Sequence, residues 1–142
     1  SGVWYWKKRR KKEPVFTLKP KVVMPPYERA LHELEKLRVK KLWQNGKVKE
    51  YHSELTEILR QYIEERFQVP ALEQTSAEIF TSLAGHTDCP RDILDKLMHL
   101  LVLADMVKFA KAQPLPTEND ASFSDGVEFV RSTIKGMEVK NA

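Results

Sequence analysis

Between Lys47 and Phe67, apolar side chains recur at Val48, Tyr51, Leu55, Ile58, Leu59, Tyr62, Ile63 and Phe67. Steps of three and four residues are those of one face of an α-helix. Lys49, Glu50, Glu54, Glu57, Arg60, Gln61, Glu64 and Glu65 fall between them and predict a solvated opposite face. Gly46 before and Pro70 after bound the segment. A helix of this length spans about 30 Å, the width of a small domain, and its single apolar stripe needs partners.

The rest of the chain supplies them. Tyr27, Ala30, Leu31, Leu34, Leu37 and Leu42 predict a helix from Pro26, closed by Asn45-Gly46 and antiparallel to the central one. Thr75-Ser76-Ala77-Glu78 has the S/T-x-x-E spacing of a capping box and predicts a short helix over 76–84, stopped at Gly85. The next helix, Cys89 to Ala112, is expected to take its cap from Asp88 or Thr87, with Pro90 in its first turn. Ile93, Leu94, Leu97, Leu100, Leu101, Val102, Met106, Val107 and Phe109 make it apolar on most sides, which predicts the most buried element. Gln113 to Pro116 reads as a rigid turn. Thr117 with Asp120 then starts a last helix with the stripe Phe123, Val127, Val130, Ile134 and Met137. Alternation of β-branched residues is nearly absent, so the expected fold is all-α. It is a compact bundle of about five helices behind an extended basic, Pro-containing N-terminal segment.

Charge divides the chain. Residues 1–12 hold six cations and no acid, so the net charge of +4 leaves −2 for the remaining 130 residues. Trp4, Tyr5 and Trp6 run directly into Lys7, Lys8, Arg9, Arg10, Lys11 and Lys12. Aromatic rings with a polar handle favour the membrane–water boundary, and Lys and Arg crowd the cytoplasmic side of membrane spans. These nine residues are therefore expected to meet an anionic membrane surface as a juxtamembrane flank. A basic arm for nucleic acid is the alternative. Prolines at 14, 20 and 25 mark residues 13–25 as a spacer, and 26–142 as the helical domain. No run within the chain is long and apolar enough for a bilayer span; Leu97 to Ala110 is interrupted by His99, Asp105 and Lys108.

Candidate chemistry is sparse. His86 and Cys89 have the spacing of half a zinc site, but Cys89 is the only cysteine, and the other histidines fall on separate predicted helices. The glutamates of the central helix lie on its polar face, and no E-x-x-H, phosphate loop, G-x-S-x-G or H-E-x-x-H occurs. We expect no catalytic residue, metal, cofactor or small-molecule substrate; an enzyme with an unrecognised site is the remaining alternative. Asp105 and Lys108 interrupt an apolar helix and need partners, Arg60 or Arg66 being expected for Asp105.

Leu42-Trp43-Gln44-Asn45-Gly46-Lys47, Leu55 to Arg60, Tyr62-Ile63-Glu64, Arg66-Phe67, Pro70-Ala71, Thr75 with Glu78-Ile79, and Leu103 to Ala110 form a pattern. It resembles the cytoplasmic C-terminal region of BatD-related bacterial membrane proteins of the aerotolerance-operon type, and it covers Pro26 to about Val130. The resemblance implies a helical domain on the cytoplasmic face of the bacterial inner membrane, attached to a span and an extracytoplasmic part. It carries no functional residues with it. The function expected is that of an interaction or scaffold domain binding a protein at the inner membrane, without nucleic acid. Trp43, Asn45 and Lys47, with the turn Gln113 to Pro116, are the expected contact surface.

Overall fold

The computed structural model describes residues 24–134, so the flank 1–12 and most of the spacer lie outside the described residues. Five α-helices follow in order: α1 Pro26–Lys40, α2 Val48–Phe67, α3 Ser76–Leu83, α4 Arg91–Ala110 and α5 Pro116–Ser132. Among the described residues there is no strand. Short 3₁₀ turns at Trp43–Asn45 and Ala71–Glu73 complete the connections.

The stripes meet as an antiparallel bundle of the four long helices, in the cyclic order α1, α2, α4, α5. Arg29 pairs with Glu65 and Lys40 with Glu54, so α1 runs against α2. Tyr51 bonds the start of α5 and Tyr62 its end, so α5 runs parallel to α2. The turns 41–47 and 111–115 therefore share one pole. The start of α1 and the end of α5 share the other. The short α3 lies against α4. Leu34, Leu37, Leu55, Leu59, Ile63, Leu94, Leu97, Leu100 and Phe129 are at most 2% exposed and form the continuous core.

Several boundaries differ from expectation. α1 stops at Lys40 because Lys41 turns left-handed (φ 48°), and Asn45-Gly46 closes the following 3₁₀ turn instead. Asp88 and Thr87 do not cap α4: the helix begins one residue after Pro90, and Asp88 pairs with Arg66. α5 opens at Pro116, where the Glu118 carboxylate accepts from the Leu115 N–H. Thr75 and Glu78 do form both bonds of a capping box, at 3.1 and 2.9 Å.

Two faces differ in part from expectation. Of the expected α5 stripe, Val130 is buried and Phe123 and Val127 pack half-buried against the core, but Asn119, Ser122, Gly126, Phe129 and Thr133 enter it as well. Met137 lies outside the described residues. α4 buries seven residues, but Val102, Met106 and Phe109 point outward at 45%, 49% and 80% exposure. It is not the most buried helix; α2, with eight buried residues, is.

A groove beside an exposed apolar stripe

Val102, Met106 and Phe109 are spaced as one helical face. They form an apolar shoulder beside a groove of about 610 Å³ between α2, α3 and α4. Ser53, Thr56 and Arg60 make its α2 wall, Leu72 and Gln74 its end, and Asp105 and Lys108 its α4 wall. Arg60 holds the end in place by donating to the Ala71 carbonyl at 3.1 Å and to that of Gln74. The Gln74 carbonyl thereby gains a donor, and that of Ala71 a second one beside the Gln74 N–H.

Asp105 takes its hydrogen bond from Ser76, at 2.7 Å, and not from Arg60 or Arg66 as the sequence suggested. Arg66 is drawn to the opposite pole, where it donates to Asp88 at 2.9 Å and to the Thr133 carbonyl and stacks over Phe67. Lys108 has neither a hydrogen bond nor an ion pair among the described residues; its amine lies 5.8 Å from the Phe109 ring centre. Desolvation lowers its pKa, opposed by the charge of Asp105, while Arg60 adds to the lowering.

A second groove, of about 620 Å³, separates α1 from α2. Its cations are already matched, since Arg29 meets Glu65, Lys36 meets Glu33 and Lys40 meets Glu54. Trp43 is half-buried and packs on the core, with Leu42, Tyr51 and Phe123 around a small cavity of about 50 Å³, whereas Asn45 and Lys47 are exposed. All three stand at the turn pole, as do Gln113 to Pro116; among the latter, Leu115 is 63% exposed.

Cys89 is buried, and the His86 ring is engaged by its neighbours. Burial raises the Cys89 thiol to about 11, which keeps it protonated at neutral pH. The His86 ring packs edge-on against Phe67, and its Nδ1 accepts from the Asp88 N–H. Among the described residues no cluster of His, Cys, Asp or Glu is arranged to hold a metal ion. No helix there is long and apolar enough to cross a membrane.

Sequence reasoning missed a buried polar seam between α2 and α5. The Tyr51 hydroxyl donates to the Asn119 carbonyl, and His52 Nε2 meets Asn119 Oδ1, both at 2.8 Å. The Thr133 hydroxyl donates to the Phe129 carbonyl, leaving its oxygen to accept from Tyr62 at 2.8 Å. Burial pushes both tyrosines up in pKa, so both remain donors. His52 is fully buried and its Nδ1 has no partner, so burial, the largest cause, and the charge of Lys108 hold its pKa low.

The described residues form an antiparallel all-α bundle with an exposed apolar stripe beside the α2–α3–α4 groove. Comparison with protein-family models finds no match to this chain, and neither curated proteins nor solved structures give one.

Proposed function

We propose that this chain is a protein-interaction domain held at the cytoplasmic face of a bacterial inner membrane, with no chemistry of its own. One observation carries the reading: a rigid helix presents Val102, Met106 and Phe109 to solvent in register beside an open groove. Scattered exposed apolar residues need no explanation, but an ordered stripe rimmed by polar groups is the signature of a binding surface. A helical segment laid into a groove is read by contacts of this spacing.

The membrane part of the proposal rests on Trp4 to Lys12 and on the resemblance to BatD-related cytoplasmic regions. The bundle is compatible with it. The described chain enters at the pole of Arg66, whereas the stripe runs toward the turn pole; Trp43 stands at that same pole, beside Tyr51 and Phe123. A partner on the stripe leaves the entry pole clear. Tethering restricts the partner search to the membrane surface and so raises the effective concentration.

Cross-linking in cells tests this. A photo-activatable side chain placed at Met106 of the full chain is expected to yield a discrete adduct with another protein, and none from exposed Glu35 on α1. Identical patterns from the two positions contradict the assignment of the surface.

A further inference from the structure

We infer that the segment occupying this groove is acidic as well as apolar, its carboxylates meeting Lys108 while its apolar side chains cover Val102, Met106 and Phe109. The inference rests on the protein-docking reading above and adds the partner's chemistry. Lys108 is a half-buried cation with no carboxylate or carbonyl within bonding distance among the described residues. Asp105 and Glu57 attract Lys108 only through space, and desolvation outweighs that attraction, so a carboxylate that bonds the ammonium directly relieves the remaining cost.

The surrounding charges orient the occupant. Lys49 stands one turn before Ser53 on the same face of α2, extending that wall toward the turn pole. Lys111 lies just past Phe109, exposed at the end of α4. Neither forms an ion pair among the described residues. Arg60 spends its donors on carbonyls but keeps its charge in the groove. Of the groove's own anions, Asp105 is bonded by the neutral Ser76 hydroxyl and Glu57 is exposed; both attract Lys108, but neither bonds it. Glu73 and Glu78 stand at the Leu72 end, so the occupant's acidic side chains belong at the Lys108 end. The α1–α2 groove, its cations matched internally, lacks this demand.

Two synthetic helical peptides provide the probe: both carry Leu at every third and fourth position, one with Glu and the other with Lys between them. Each is titrated into the isotope-labelled full chain and followed by NMR. The Glu peptide is expected to shift Leu72, Val102, Met106 and Phe109, and to bind at least tenfold more tightly than the Lys peptide. Lys108→Glu should reverse that preference. Lys108→Met, which keeps the apolar stem, should weaken the Glu peptide without favouring the Lys peptide, with the helical spectrum of both variants unchanged. Equal engagement of the stripe by both peptides overturns the acidic assignment while leaving protein docking in place. Absence of shifts with either peptide also overturns it, and the Met106 cross-link then judges the docking reading separately. The same shifts produced by concentrating the protein alone identify a second copy as occupant; produced equally by phosphatidylglycerol vesicles, they identify a membrane. Either result overturns the inference.

Discussion

His52 shows how one side chain couples fold to proton concentration. It is wholly inside, bonded once to Asn119, with Nδ1 unpartnered and Tyr51 edge-on beside it. Charging the ring there lacks both solvent and a second acceptor. A histidine held below its unfolded value, about 6.5, contributes fully above that pH. Its contribution falls as pH drops below 6.5 toward the folded value, because the unfolded chain takes up the proton first. Lys108 on α4 adds to the lowering through its charge, while the hydrogen bond to Asn119 on α5 opposes it. The melting temperature should therefore decline between pH 7.5 and 5.5, and less steeply in His52→Gln. Equal slopes in the two proteins refute the assignment. Gly126 acts through space rather than charge: a Cβ there would lie 3.2 Å from Leu59 Cδ1 and 3.5 Å from Leu55 Cδ1. Gly126→Leu should cost about 1–3 kcal/mol by overpacking, measured by urea unfolding. A neutral substitution would show that α2 and α5 have room to part.

At the scale of elements, periodicity did well wherever one face was apolar and the other charged. α1 and α2 took the predicted faces, and the Thr75–Glu78 cap formed as its spacing requires. The stripe of α5 was incomplete because Asn119, Ser122 and Gly126 do not count as apolar. Their small size brings α5 close to Leu55 and Leu59, and hydrogen bonds to α2 satisfy Asn119. α4 posed the opposite problem. When nearly every side is apolar, the pattern does not say which side lacks a neighbour, and the outward stripe became visible only in the packed bundle. The proposed contact residues Trp43, Asn45 and Lys47 came from the sequence, whereas the stripe of Val102, Met106 and Phe109 came only from the packed helices. Leu59, fully buried and in contact range of α5, checks the packing account: Leu59→Ala should lose about 2–5 kcal/mol in chemical denaturation. A loss under about 1 kcal/mol would remove α2 from the centre of the core.

Across the whole molecule the proposed work is divided: a basic aromatic flank for the membrane, and a stripe toward the turn pole for a protein. The flank has its own test. A peptide of residues 1–12 should bind anionic vesicles with a blue shift of Trp fluorescence, more weakly as salt rises, since each cation contributes about 1 kcal/mol at an anionic surface. Equal binding to neutral vesicles contradicts the electrostatic part. The central claim is that the α4 stripe serves binding and not stability, and Phe109→Ser addresses it most directly. Melting and Met106 photo-cross-linking are measured on that same variant. At 80% exposure Phe109 holds little of the core together, so the melting temperature should stay within about 2 °C of the parent while the protein adduct disappears. A drop of several degrees, or an adduct that persists undiminished, contradicts the account.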